Sequence, residues 1–370
     1  MTIVLLLISL LYASWVLFLL RGWQSIAIVP IPFYQPVKGI SIVVAFRNEA
    51  HNLERLLRSL SKQNYPSSLM EVVLVNDHSD DLYEQALQHF STFPCSLRVI
   101  SLGEGKYGKK QAIAYGVSQA SYDWILTTDA DCIASEGWAK GMMEHAEASS
   151  ARFVFGPVAF ETQGSFLTDF QQIELFSLIG SGAALWHYDL PTMCNGANLL
   201  YKKSLVAQDP YILNGHLASG DDEFLMHRVY QQDSKAVSFA KNTETLVITK
   251  PCFSWFVLYQ QRKRWASKWG AYRMAHVQRI ALGVFLANLM YALLPLLAYR
   301  SPALIPWIIA IYVFRWVMDG IFIYEITQFY NKPFNLVRYV EVATIYPWYV
   351  VISALAGRVG KYTWKGRKVS

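Results

Sequence analysis

Uncharged apolar runs of membrane length flank a long stretch in which short apolar runs alternate with segments of helical period. Met1–Leu20 carries no charge. At 1.5 Å per residue such a helix is about 30 Å long, enough to span a bilayer. The basic start and small-residue cleavage site of a signal peptide are not evident, so the run is predicted to be an uncleaved anchor. Ile280–Tyr299 is a second uncharged run, and Ser301–Tyr324 a third, interrupted by Arg315 and Asp319. Those two lie four apart on one helix face, where each can neutralise the other inside a bundle. Val342–Gly357 is a fourth run, shorter and containing Pro347.

Between the first and second runs the pattern is α/β. Ile40–Phe46 reads as a buried-type strand, and Val72–Val75, Leu97–Ser101 and Trp124–Thr128 read as a second, third and fourth strand. Leu53, Leu56, Leu57 and Leu60 recur at helical spacing, and helices are expected over Asp80–Phe90 and Lys110–Ala120. Strands alternating with helices imply a mainly parallel, doubly wound sheet, whose ligands bind at the carboxyl ends of its strands. After Ser150 the alternation loosens. Phe166–Trp186 is long, apolar and aromatic, fit for a core or for a membrane surface. Trp255–Arg273 mixes basic residues with aromatics, as interfacial helices do.

Composition supports a membrane protein. The 370 residues are 53% hydrophobic and 16% charged, with mean hydropathy +0.21. A soluble domain is nearer a quarter charged. The formal charge is +6, and the basic residues cluster beside the apolar runs, which suits anionic headgroups and argues against nucleic acid. Four cysteines without a CxxC pair fit a reducing compartment. Arg21 and Lys38 follow the first run, and Lys263, Arg264, Lys268, Arg273 and Arg279 precede the second. The positive-inside rule therefore places the N-terminus outside and Arg21–Arg279 in the cytoplasm. Arg358, Lys361, Lys365, Arg367 and Lys368 would fall outside if all four runs crossed, so the fourth is expected to be re-entrant or interfacial unless the rule fails there.

Acidic and cationic motifs occupy the predicted strand ends and helix starts. Asp77 in VNDHSDD ends the second strand and can accept hydrogen bonds from a base or ribose, or cap a helix. Asp80 and Asp81 suit the cap. Asp129 and Asp131 in TTDADC point the same way from an extended segment. Converging carboxylates repel unless a cation is near, and magnesium or manganese suits such hard oxygens. Lys109 and Lys110 oppose the dipole of their helix, which a bound phosphate or base edge would explain. Asp221 and Asp222 in SGDDEFL open a helix, as dipole complements or with one serving as general base. In QRKRW, Gln261 and Arg264 share a face, Arg264 can fork onto phosphate, and Trp265 can stack on a sugar or anchor at the interface. Arg262 and Lys263 suit a basic membrane-surface helix.

In this order the motifs resemble those of the membrane-anchored family-2 glycosyltransferases, the group that includes cellulose, hyaluronan and poly-N-acetylglucosamine synthases and ceramide glucosyltransferases. The resemblance runs from about Gly39 to Trp269. It implies a GT-A fold, a Rossmann-like and mainly parallel sheet with flanking helices, in a cytoplasmic domain joined to transmembrane helices. The expected segments are 1–20 as anchor, 39–250 as GT-A domain, 251–279 as interfacial QxxRW region, 280–357 as membrane region and 358–370 as basic tail. SIVVAFRNEAHNL is similar to the family's nucleotide loop, which implies nucleoside contacts near Ala45 and Glu49 and base contact by Asp77. GKKQAIAYG resembles GKxxALNxG but has Ala114 where asparagine is usual, so Lys109 alone is carried over. TTDADC resembles the DxD, with Asp131 as metal ligand and Asp129 near the ribose or pyrophosphate. CNGANLLYKK resembles the acceptor-side segment, which includes Asn198. Asp222 matches the catalytic base, and Gln261, Arg264 and Trp265 match QxxRW.

The resemblance implies an inverting transferase that uses Mg or Mn and a nucleotide-sugar donor, a UDP-sugar by that likeness, at a multi-pass cell-membrane site. The acceptor expected is a lipid or glycolipid hydroxyl, because three or four short spans make a poor secretion channel. A processive polysaccharide synthase is the alternative. A non-catalytic nucleotide-sugar-binding protein would not need Asp131 and Asp222, and a nucleotidyltransferase would not need Gln261–Trp265.

Overall fold

A computed structural model describes residues 2–28, 34–161, 163–207, 221–357, 362–364 and 367–369. The chain divides into two compact units, Ala27–Glu161 with Met193–Pro251, and Met1–Ile26 with Thr162–Thr192 and Cys252–Ser370.

The first unit is the α/β domain. Its strands β1 (Ile40–Phe46), β2 (Met70–Asn76), β3 (Ser96–Ser101) and β4 (Trp124–Thr127) are all parallel, in the order β3-β2-β1-β4. Every residue of β2 is buried, and in β1 only Ala45 is not, as a sheet covered on both faces requires. Four short strands follow at or beside this sheet: β5 (Ile133–Ala134), β6 (Phe153–Phe155), β7 (Val158–Phe160) and β8 (Leu199–Lys202). β8 runs antiparallel beside β4, with Leu199 opposite Thr127, and β6 and then β9 (Val237–Phe239) extend the sheet to seven strands. β5 and β7 pair with β10 (Val247–Thr249) in a second, three-stranded sheet.

The helices of this unit are α2 (Ala50–Leu60), α3 (Tyr83–Gln88), α4 (Lys109–Gln119), α5 (Trp138–Ser149), α7 (Lys203–Ala207) and α8 (Asp221–Gln232). The leucines predicted to share a face, Leu53, Leu56, Leu57 and Leu60, are all fully buried. α4 lies very close to the sheet at Gly116, where a Cβ would come within 2.5 Å of Val43 Cγ1 and 2.7 Å of Val75 Cγ2. α3 is shorter than the predicted Asp80–Phe90, because both aspartates serve the neighbouring loop. Asp81 Oδ2 accepts the Ala50 N–H at 2.7 Å, and Asp80 pairs with Arg47 at 3.1 Å. Asp81 does cap a helix start, that of α2, whereas Asp80 holds the Arg47 side chain instead.

The second unit contains α1 (Thr2–Ser25), α6 (Phe166–His187), α9 (Trp255–Ala266), α10 (Ala275–Arg300), α11 (Ile305–Phe329) and α12 (Leu336–Ala356). Four segments, Leu7–Ser25, Ala275–Arg300, Pro302–Phe329 and Leu336–Ala356, are helical, long and apolar enough to cross a membrane. Leu286, Leu296, Ile309 and Val317 project outward from them, the surface that lipid would cover. α6 opens with a capping box between Ser165 and Thr168. Glycines set its close approaches: a Cβ on Gly22 would lie 2.7 Å from Tyr188, and one on Gly180 would lie 2.6 Å from Ile326.

Arg315 and Asp319 pair as expected, at 3.2 Å. Asn288 accepts from Arg315 at 2.8 Å, Tyr12 donates to Asp319 at 2.6 Å, and the guanidinium lies 4.2 Å from the Tyr291 ring centre. The pair is thus hydrogen-bonded across α1, α10 and α11, which is how a charge survives inside an apolar bundle.

The fourth apolar helix is longer than the predicted Val342–Gly357. It begins at Leu336, where Arg338 binds Asp169 at 3.0 Å and Glu341 at 2.7 Å. α12 accompanies α9 at three successive levels. Leu258 and Val342 share one buried cluster, Arg262 and Tyr349 both bind Glu174, and a Cβ on Gly357 would lie 2.5 Å from that of Ala266. Of the basic tail, Arg358, Lys361 and Lys365 lie outside the described residues.

Candidate active site

The parallel register puts the carboxyl ends of β1 to β4 along one edge, and the sheet order reverses between β1 and β4. Such a reversal leaves a crevice for ligands. Ala45 is the one partly open residue of β1, next to this edge. Glu49 is buried at the start of α2, where Asn52 donates to it and Lys250 donates to Asn52.

The loops after β1 and β2 are laced together. Asn48 N–H donates to Ser79 Oγ at 3.0 Å, and Asp80 N–H donates to Asn48 Oδ1 at 2.8 Å. Arg47 donates to the carbonyls of Asp77 and His78. Asn48 and His78 both adopt left-handed backbone, each with φ 54°. Asp77 is 1% exposed, and its Oδ2 accepts the Gly108 N–H at 3.0 Å. Of the two roles open to Asp77, the structure displays a brace to the start of α4. The His78 and Tyr107 rings lie beside it, tilted by 39° with ring centres 4.7 Å apart.

Gly108 has φ 98° with open space around it, so its glycine serves backbone conformation. The turn delivers Lys109 onto the Asp129 carboxylate. That contact accounts for a lysine at a helix start. Asp129 and Asp131 both lie near the Cys132 thiol, whose Sγ is 3.7 Å from Asp131 Oδ1. Burial pushes that thiol up, and the charges of Asp131 and Asp129 push it further. Both carboxylates act on the same thiol, and two acids near one strand end are compatible with a hard divalent cation. Among the described residues no three His, Cys, Asp or Glu side chains are grouped to hold a metal. Two protein carboxylates completed by phosphate oxygens are the usual arrangement for magnesium.

The antiparallel β8 starts at this same edge, so Asn195–Asn198 lies beside TTDADC. Asp222 reaches it from α8, and its Oδ2 accepts the Gly196 N–H at 2.8 Å. Its Oδ1 accepts the Glu223 N–H at 2.9 Å. Asp222 is therefore oriented and partly open. The Asp221 side chain and Ser219–Gly220 lie outside the described residues. Asn198 departs from its expected acceptor role. It is fully buried, its Oδ1 accepts the Trp138 indole at 2.8 Å, and its Nδ2 donates to Pro157 and Thr245 carbonyls at 2.8 Å each. It braces the floor of the crevice.

Gln261, Arg264 and Trp265 lie in the other unit, on α9. The expectation for Arg262 is overturned. It is 4% exposed rather than part of a basic surface, with its Nε 3.1 and 3.0 Å from the two Glu174 oxygens. Burial would lower its pKa, and Glu174 more than compensates, so Arg262 stays charged. Glu174, one of two acids in the otherwise apolar Phe166–Trp186 run, was the sequence signal for such a partner. Arg47, set between β1 and an acidic loop, was the signal for the lacing at the other motif.

Residues 41–208 match the family model described as Glycosyl transferase family 2. Over those residues the chain is similar to a family-2 glycosyltransferase domain, and four apolar helices lie outside them in the sequence. It is 29% identical over 148 residues to the poly-beta-1,6-N-acetyl-D-glucosamine synthase of Staphylococcus epidermidis, covering 40% of this chain and 35% of that one. It is 27% identical over 212 residues to Glycosyltransferase GlyG of Streptococcus pneumoniae, covering 55% and 68%. The chain therefore spans about a third of the synthase it matches (35%). Among solved structures it is similar to a mannosyltransferase from Pyrobaculum calidifontis in complex with GDP-Man and Mn2+. The TM-score is 0.56 at 14% identity, over 96% of this chain and 97% of that one. That likeness is one of fold.

Proposed function

We propose that this chain is an inverting, divalent-metal-dependent glycosyltransferase that moves a sugar from a nucleotide-sugar, a UDP-sugar by motif, to a membrane-associated lipid or glycolipid hydroxyl. One observation carries the proposal: Asp77, Lys109, Asp129, Asp131 and Asp222 share one edge of a family-2 domain.

Asp131, with Asp129, would hold the cation, Mg or Mn. The cation would offset diphosphate charge. Ala45, Glu49 and Asp77 are assigned to the nucleoside, and Lys109 and Asp129 to the ribose or pyrophosphate. Asp222, oriented by the Gly196 N–H, takes the proton of the acceptor hydroxyl as its oxygen attacks the anomeric carbon. The nucleoside diphosphate leaves from the opposite face, so the configuration inverts. The motif assigns Gln261 and Arg264 to the leaving group and Trp265 to the sugar. Asp221 supports Asp222.

The positive-inside rule supports a topology of three spans, with α12 re-entrant or interfacial. α12 packs against α9 and also against α10 and α11, where Tyr339 donates to the Trp316 carbonyl at 2.7 Å. α9 carries Arg262, Lys263 and Arg264 and is too charged to cross. The basic tail is then on the catalytic, cytoplasmic side, as the positive-inside rule requires.

Purified protein in lipid, given a panel of nucleotide sugars and extracted lipids, tests the reading by mass spectrometry. A glycosylated lipid of defined mass is expected. A ladder of polymer masses would favour the processive reading, which the synthase-named relatives support. No transfer from any donor would overturn both.

A further inference from the structure

Arg262 sits inside the QRKRW motif at a position outside the QxxRW pattern, yet it touches both flanking motif side chains. Its Nη1 donates to Gln261 Oε1, and its guanidinium carbon lies 4.1 Å from the centre of the Trp265 ring. Glu174 holds its Nε, at 3.1 and 3.0 Å, and its Nη2. Glu174 is itself buried and accepts the Tyr349 hydroxyl at 3.0 Å. One guanidinium thus ties the motif helix to α6, and through Glu174 to α12.

We infer that Arg262 is the positioning residue of this motif, fixing which end of the Gln261 amide faces outward and which way the Trp265 ring is turned. The inference rests on the proposed roles of Gln261 and Trp265 in sugar transfer. Its physical basis is donor arithmetic. A guanidinium only donates, so the amide must turn its oxygen toward Arg262. The Gln261 NH2 then points away as a pair of donors, suited to phosphate or sugar oxygens. The cation against the indole face fixes the ring plane. Lysine cannot replace this. It lacks the planar fork that serves Glu174 while also reaching the amide and the ring. Glu174 and Tyr349 act one step further back by holding the guanidinium.

The test uses full-length protein in nanodiscs labelled with 5-fluorotryptophan, with the Trp265 resonance assigned by Trp265→Phe. In Arg262→Lys and Glu174→Gln that resonance should move, and kcat per folded molecule should fall about 10²-fold, as misplacement of a contact group by an ångström can cause. KM for the donor should change less than about threefold, the signature of a contact made in the transition state. The paired reversal Glu174→Arg with Arg262→Glu restores an ion pair but would turn the amide round and remove the cation from the ring, so kcat should stay low. Tyr349→Phe removes one hydroxyl and no charge, and should move the resonance by less. It keeps the question open to measurement if the charge variants fail to fold. An unmoved resonance, normal kcat in the single variants, or recovery in the reversal overturns the inference. If the parent transfers no sugar from UDP- and GDP-sugars, the transferase reading falls, while the fluorine shift still decides whether Arg262 orients Trp265.

Discussion

The ammonium of Lys109 rests on Oδ1 of Asp129, so the first residue of one helix neutralises the end of the neighbouring strand. Without that cation the Asp129 carboxylate would lose its ion pair. Lys109→Ala should weaken nucleotide diphosphate binding by about 10- to 100-fold, the equivalent of one charged hydrogen bond. Calorimetry with UDP and GDP measures it. Unchanged affinity for both would remove Lys109 from the donor site.

Asp131→Ala removes a ligand oxygen and should abolish the dependence of nucleotide binding on added Mg or Mn. Titration of UDP with and without chelator checks this. If metal dependence survives, the cation lies elsewhere.

Asp222→Asn keeps the shape and can still accept the Gly196 N–H but cannot take a proton. Transfer should fall by about 10²–10⁴-fold while donor affinity holds. Asp221→Asn should cost much less. A reversed order of effects would move the base by one residue. Normal turnover in both would strike at the mechanism.

Single cysteines at Ser149 and at Ser370, in a background lacking the native cysteines, should both resist a membrane-impermeant reagent applied to intact cells. Both should react after permeabilisation. Labelling at Ser370 alone from outside would mean that α12 crosses the membrane.

His145 is buried against Ser238 at 2.7 Å, and burial lowers its pKa to about 4. The unfolded chain, near 6.5, takes up the proton first as pH falls. The stability associated with neutral His145 is therefore full above about 6.5 and is lost as pH falls toward about 4, on the order of 2–3 kcal/mol. Thermal melts from pH 7 to 4.5 should show this slope, and His145→Gln should flatten it. An equal slope in the variant would assign the acid sensitivity to other groups.

The sequence by itself determined the parallel core, because strands buried on both faces are apolar over most of their length, as Ile42–Phe46 and Val72–Val75 are. It also determined the apolar helices and the Arg315–Asp319 pair, since length, hydropathy and a four-residue spacing are local properties. Their ends were less legible. α3 is short because Asp81 and Asp80 are drawn to residues some thirty positions earlier, Ala50 and Arg47. Only the tertiary structure decided which polar residues face inward. Asn198 and Arg262 look available in sequence, yet both are buried with partners remote in the chain, Trp138 and Thr245 for one, Glu174 for the other. The same holds for α12. Its composition allows it to cross a membrane, yet it packs on the charged α9 as well as on the apolar α10, and a helix's partners are set by the whole fold rather than by its own residues.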